Sequence, residues 1–152
     1  GADPDGELGE EHNPETHLIP SIINTALGFR PFFEIYGTNF STRDGTCVRD
    51  YIHVTDIAKA HVLALENLLN GGVSTCFNLG TGRGYSVMDI INVVKKTLKV
   101  EFEVIEREER CGDVAELVAN SDKIRKLLNW ESKYSDLETI INTAYKWKKS
   151  IL

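Results

Sequence analysis

The sequence predicts an α/β fold, and three observations carry that expectation. Stretches with apolar residues at helical spacing alternate along the chain with short, dense apolar runs of strand type. Ser, Thr or Asp opens most of the helical stretches, and glycine closes several of them. No internal repeat or low-complexity segment breaks the alternation. At 152 residues the chain is long enough to bury a core of its own, about two-thirds of its unfolded surface.

Residues 1–15 are acidic and rich in Gly and Pro, with neither alternation nor helical spacing, so they are expected to be loop. A chain that begins inside a loop suggests that something precedes it. Apolar positions then recur at helical spacing from Leu18 to Leu27, with Pro20 tolerated in the first turn and Gly28 as the stop. Phe32 to Tyr36 reads as a short strand closed by Gly37. Val48 to Val54 is a second strand-type run with Arg49 at its mouth. Thr55 or Asp56 should cap a helix to about Leu69, with Ile57, Ala60, His61, Ala64, Leu65 and Leu68 inward and Gly71-Gly72 ending it.

Cys76 to Leu79 has the composition of a buried strand, and Gly80 to Gly84 that of a tight loop. Ser86 is placed to cap a helix that turns Val87, Ile90, Ile91, Val94 and Leu98 inward. Phe102 to Ile105 reads as strand, Glu106 to Asp113 as a charged loop, and Val114 to Val118 as extended chain. Ser121 should cap a short helix to Leu128. Ser135-x-x-Glu138 has the form of a capping box for the last helix.

Composition excludes several roles. Net charge is −6, and no Lys/Arg run stands out, which disfavours a nucleic-acid partner. No apolar window approaches the roughly 20 residues of a membrane span, and no signal-peptide pattern is visible, which points to the cytoplasm. The three cysteines are odd in number and lack metal-ligand spacing. Cys76 reads as buried filler. Cys47 and Cys111 each lie near a candidate arginine, but the inert reading is preferred for both. His12, His17, His53 and His61 lack metal spacing, and His53 and His61 read as packing residues.

Arginine is the residue type that carries a functional signal. Arg49, fixed where a loop enters a strand, can offer its planar fork of donors to a phosphate. Arg110-Cys111-Gly112-Asp113 adds a second cation, a flexible glycine and a carboxylate within four positions. Two arginines and one acceptor suit a nucleoside diphosphate with its ribose, hence a nucleotide-sugar site. Taken singly, each arginine fits a plain ion pair equally well, Arg49 with Asp44, Asp50 or Asp56; their co-occurrence favours the site. Gly80 to Gly84 has G-x-G-x-G spacing rather than G-x-G-x-x-G, so a structural turn is the better reading. Tyr145 and Lys149 match a bare Y-x-x-x-K, yet they sit on a helix whose apolar face already explains the tyrosine, and the match is rejected as catalytic.

Gly45-Thr46-x-Val48-Arg49-Asp50-Tyr51-Ile52-His53-Val54, together with Phe77-Asn78-Leu79-Gly80-Thr81-Gly82-x-Gly84-Tyr85-Ser86-Val87, resembles the UDP-glucose 4-epimerases of the extended short-chain dehydrogenase/reductases. Arg110-x-Gly112-Asp113 and Leu128-x-Trp130 follow in that family's order. The resemblance covers essentially the whole chain but only the family's carboxy-terminal, substrate-binding portion. Residues 1–152 are therefore expected to be a truncated UDP-sugar-binding portion. The NAD-binding Rossmann half, with the family's Tyr-x-x-x-Lys pair, is absent, so no catalytic residue is assigned here.

The resemblance implies an NAD-dependent isomerase that interconverts UDP-glucose and UDP-galactose, homodimeric at full length, with NAD bound by the absent half. It implies inactivity for the isolated chain. It also implies that His17 and Leu18 approach the diphosphate, that the backbone of Glu34, Ile35 and Tyr36 reads uracil, and that Arg49 and Arg110 hold the diphosphate. Asp113 would accept from the ribose hydroxyls, and Leu117 would limit the sugar pocket, its small size admitting an N-acetyl group. Another UDP-sugar epimerase or decarboxylase, or a non-catalytic UDP-sugar-binding module, is the alternative reading.

Overall fold

Residues 1–17 run without helix or strand before α1 (Leu18–Ala26), in a computed structural model that describes residues 1–152. Ile19, Ile22 and Ile23 of α1 face inward at helical spacing. The helix leaves through Gly28, whose φ of +82° is open to glycine at little cost. β1 (Phe32–Tyr36) alternates, so that Phe33 and Ile35 are buried. It pairs in parallel with β4 (Glu103–Arg107), Phe33 opposite Val104 and Ile35 opposite Glu106. No strand pairs with the other edge of β1.

Two further helices complete the main core. α3 (Val87–Leu98) contributes Ile90, Ile91 and Val94, and α5 (Leu137–Ser150) contributes Leu137, Ile140 and Ile141, all packed with α1 and β1 in one buried cluster. Removing a fully buried Ile side chain from such a cluster costs about 2–5 kcal/mol. Ser86 opens α3 with a reciprocal capping box: its hydroxyl accepts from Asp89 N, and the Asp89 carboxylate accepts from Ser86 N.

A second small sheet places the arginine. β2 (Val48–Arg49) lies between β3 (Tyr85–Ser86), which is antiparallel to it, and β5 (Glu116–Leu117), which is parallel. Arg49 is thereby stitched to the chain that follows Arg110 and Asp113. α2 (Val54–Leu69) and α4 (Asp122–Leu128) share a smaller core of Ala60, Ile124 and Trp130. The Trp130 indole N–H donates to Asp56 O at 2.9 Å.

The fold is α/β, as the alternation predicts, but several local expectations are corrected. The run from 48 to 54 is strand only at Val48–Arg49, and Val54 already belongs to α2. Neither Thr55 nor Asp56 caps that helix. His53 does, its Nδ1 accepting from Thr55 N at 3.1 Å. Asp56 is turned inward, where its carboxylate accepts from Lys133 N, Tyr134 N and the Ser135 hydroxyl. Ser135 is consumed by that bond and by accepting from His53 N, so Asp136 caps α5 in its place, accepting from Thr139 N at 2.8 Å.

Residues 76–79 form no strand, because no neighbouring strand lies alongside to pair with them, and Cys76 is exposed rather than buried filler. The expected apolar face of α2 is likewise only partly covered. Ala60 is buried, whereas His61 is exposed and Leu65 and Leu68 keep 57% and 48% of their surface. Val62, Leu69 and Val73 extend this apolar surface.

Candidate functional site

Arg49 enters its strand from a loop that is tied down before the arginine is reached. The Asp44 carboxylate accepts from Thr46 N, the Thr46 hydroxyl and the Ser86 hydroxyl. Burial alone would raise this carboxyl; the Ser86 and Thr46 donors outweigh it and hold Asp44 below the usual carboxylate range. The loop is thus anchored to the start of α3. Arg49 Nη1 donates to Val48 O and Val114 O, each at 2.8 Å. Its Nη2 lies 3.6 Å from Asp113 Oδ1, so the ion pair that forms is with Asp113 and not with Asp44, Asp50 or Asp56.

Asp50, next in sequence, does something the sequence reading did not foresee. Its carboxylate accepts from Thr81 N, the Thr81 hydroxyl and Gly82 N at 2.7–2.9 Å. A Cβ on Gly80 would lie 2.6 Å from that carboxylate and 2.5 Å from the Ala119 Cβ. The glycines therefore let the loop close around an internal anion, and the structural-turn reading describes this geometry.

A cleft of about 700 Å³ opens between the start of α1, the length of β1 and the segment 110–113. Leu18, Glu34, Ile35, Tyr36, Arg49, Arg110 and Asp113 all line it, so seven of the nine residues singled out from sequence converge on one concavity. The Arg110 guanidinium makes no ion pair within the chain and lies over the Tyr36 ring, 3.8 Å from its centroid. Glu34 is held by Arg107 Nε at 2.7 Å and by the Tyr36 hydroxyl at 3.0 Å. The Arg107 bond, seconded by Tyr36, lowers its carboxyl below the ordinary value. The backbone of β1 borders the cleft, and the edge not paired with β4 leaves peptide groups free.

The other two residues lie elsewhere. The His17 ring borders a second cavity of about 590 Å³, with Nδ1 3.0 Å from Glu15 Oε1. Leu117 lines neither cavity and is 63% exposed.

The cleft has features that sequence reading missed. The N-terminus of α1 is uncapped: His17 makes no side-chain cap bond, the first turn holds no acid, and Pro20 has no N–H to give. With Thr16 and Leu18 on the cleft wall, the positive end of that helix adds to the two arginines. A first turn without acid was the visible signal. The Tyr51 phenol, also on the wall, is pushed up to about 12 by burial and stays protonated. Burial likewise raises the Cys47 thiol, against the opposing pull of Arg49, in keeping with an inert cysteine. Sequence spacing indicated no metal set, yet the fold gathers ligand atoms of His12, Glu15 and His17 within 4.8 Å of one another.

Residues 5–143 match the family model described as GDP-mannose 4,6 dehydratase. The chain is 51% identical over 147 residues to the UDP-glucose 4-epimerase of Rhizobium meliloti, covering 97% of itself and 44% of that relative. Among solved structures it is similar to the UDP-glucose 4-epimerase of Brucella ovis in complex with NAD, with a TM-score of 0.91 and 48% identity over 95% of this chain and 45% of that one. It is also similar to the Bifidobacterium longum UDP-glucose 4-epimerase in complex with NAD⁺ and UDP, with a TM-score of 0.89 and 32% identity over 99% and 44% of the two chains. The chain spans less than half the length of the relatives it matches.

Proposed function

As this chain belongs to the GDP-mannose 4,6 dehydratase family, we propose that it forms the UDP-sugar-binding portion of a UDP-glucose 4-epimerase, an isomerase interconverting UDP-glucose and UDP-galactose. The observation that carries the reading is the convergence of Arg49, Arg110 and Asp113 on the cleft that the free edge of β1 also borders. On this reading the diphosphate lies between the two guanidinium groups and the start of α1, which His17 and Leu18 open. The uracil edge pairs with backbone groups of Glu34, Ile35 and Tyr36, as a peptide strand would. Asp113 accepts from the ribose hydroxyls. Leu117, exposed and outside this cleft, is assigned to the hexose end that residues beyond this chain would complete, where its short side chain leaves room for a substituent.

Epimerisation at C4 requires a hydride acceptor, and this reading assigns that task to NAD. The residues of this chain do not fit NAD: the N–H groups of Thr81 and Gly82 are occupied by Asp50, and no other glycine-rich turn opens a helix here. The cofactor and the catalytic pair are therefore assigned to residues outside these 152, and the chain alone is expected to be inactive. The homodimer expected of the whole enzyme is assigned to elements outside this chain as well. No helix is long and apolar enough to cross a membrane.

Calorimetric titration of UDP into the 152-residue chain tests the reading. Binding is expected to be weak and to fall about tenfold or more in Arg49→Ala and in Arg110→Ala, each of which removes charge-assisted bonds worth about 1.5–3 kcal/mol. A folded chain that ignores UDP, or binds it equally well without either arginine, overturns the assignment.

A further inference from the structure

We propose that His12, Glu15 and His17 bind one divalent transition-metal ion of the zinc class, with Glu10 closing the ligand set. The inference rests on the geometry of the loop before α1 and does not require the UDP-sugar reading, although Glu15 also borders the nucleotide cleft and His17 precedes the helix assigned to the diphosphate.

The three side chains bring ligand atoms within 4.8 Å of one another, and the two imidazole rings are 5.0 Å apart between centroids. His17 Nδ1 lies 3.0 Å from Glu15 Oε1. Neighbouring ligands of a tetrahedral ion with bonds of about 2.0–2.1 Å are separated by roughly 3.3 Å, so this pair already has the spacing of one coordination edge. Glu10 Oε1 lies 3.7 Å from the same His17 nitrogen. The resulting order, Glu-x-His-x-x-Glu-x-His, supplies two neutral imidazoles and two carboxylates, which together neutralise a dication.

The chemistry of the donors decides the class of ion. Imidazole nitrogen selects zinc, copper or nickel over magnesium and calcium, which prefer all-oxygen shells. Glu15 is oriented before any ion arrives: its carboxylate accepts from His17 N at 2.8 Å, and its carbonyl accepts from Arg30 Nη2 at 3.2 Å. All four ligands border the second cavity, whose wall also includes Asn24, with an Oδ1 that is buried and has no hydrogen-bond partner. Water carried by an ion would be a donor for an acceptor of that kind. A bound ion would tie the loop of residues 10–15 to the first residue before α1, so its effect would be to clamp the rim that Glu15 shares with the nucleotide cleft.

Zinc chloride titrated into the chain in a Cys76→Ser, Cys111→Ser background, which removes the two exposed thiols, tests the site. One equivalent is expected to bind, with affinity reduced more than about a hundredfold in His12→Ala and again in His17→Ala, each a larger loss than the roughly 10–100-fold that trimming an outer-shell partner gives. His61→Ala, an exposed histidine on α2, should bind as the parent does. Cobalt(II) in place of zinc should give the intense visible absorption of a tetrahedral site, and both loop variants should lose it while retaining their circular dichroism. The proposal is overturned if the folded parent binds no zinc, if either loop histidine proves dispensable, or if His61→Ala abolishes binding.

Discussion

The Arg110 guanidinium sits 3.8 Å from the centroid of the Tyr36 ring, while the Tyr36 hydroxyl donates to Glu34. One aromatic side chain thus supports a cation on its face and a carboxylate at its tip. If the ring is what positions Arg110, Tyr36→Phe should keep UDP affinity within about twofold of the parent, since a benzene face retains most of the cation–π attraction. Tyr36→Ala should weaken UDP several-fold, as an interaction of about 0.5–1 kcal/mol is lost. Isothermal titration of both variants separates the two contributions; equal losses would show that the hydroxyl, not the face, matters.

Asp56 is the buried carboxylate with the most to lose. It is 1% exposed and accepts from two backbone N–H groups and the Ser135 hydroxyl. Asp56→Ala would strand those donors, at about 1–3 kcal/mol for each group left unsatisfied and not rehydrated. Urea denaturation should therefore show a loss of at least about 2 kcal/mol, with the midpoint moved and the slope unchanged. A loss below about 0.5 kcal/mol would mean that water replaces the carboxylate.

His53 makes stability depend on pH. Burial is the main reason its pKa lies below the ordinary histidine value of about 6.5. Its Nδ1 accepts from Thr55 N, so the remaining proton is on Nε2, facing the Thr143 hydroxyl at 3.0 Å. The unfolded chain therefore binds the second proton more readily than the folded one. The contribution of His53 to stability is full above about pH 6.5 and falls as the pH drops from there toward the lowered folded value, with the sign that linkage requires. Thermal melts between pH 7.5 and 5 should show this decline, and His53→Gln should lose stability overall while flattening the pH dependence.

NAD should not bind this chain. The Thr81 and Gly82 N–H groups at the centre of the Gly80–Gly84 turn are held by Asp50 and the Arg83 N–H by the Thr81 hydroxyl, so a pyrophosphate would have to displace an internal carboxylate to reach them. Calorimetry with NAD⁺ should give no heat above dilution, and measurable binding would require a different account of the turn.

The proposed reading assigns Leu117 a part in sugar choice. If its short side chain leaves space beside the hexose, a full-length protein carrying this segment should turn over UDP-N-acetylglucosamine as well as UDP-glucose, and Leu117→Tyr should depress the first reaction more than the second. Equal effects on both sugars would remove Leu117 from the specificity account.

Much of this architecture is legible in the residues, and what is not has a common cause. The helical spacing of α1, α3 and α5, the stop at Gly28 and the cap at Ser86 are local, and periodicity reads them. Asp50, His53, Asp56 and Ser135 are different. Each looks like an ordinary member of an extended run or a capping box, but their side chains bond to partners 31 to 90 positions away. Those distant bonds cut β2 short at Arg49, begin α2 early and move the last cap by one residue. The cleft follows the same division. Arg49, Arg110 and Asp113 stand out as residue types, whereas the uncapped start of α1 emerges only when the helix is placed beside them. Residues 76–79 mislead for the opposite reason, since their composition suits a strand that no neighbour completes.

The two carbonyl bonds on Arg49 Nη1 have a further effect on how the cleft meets a ligand. A free arginine carries rotamer entropy equivalent to about 2 kcal/mol, which an incoming anion would ordinarily have to quench. Here folding has already immobilised the side chain, so recognition at this end is rigid from the outset. Arg110 has no such carbonyl bonds; its guanidinium rests on the Tyr36 face, 3.8 Å from the ring centroid.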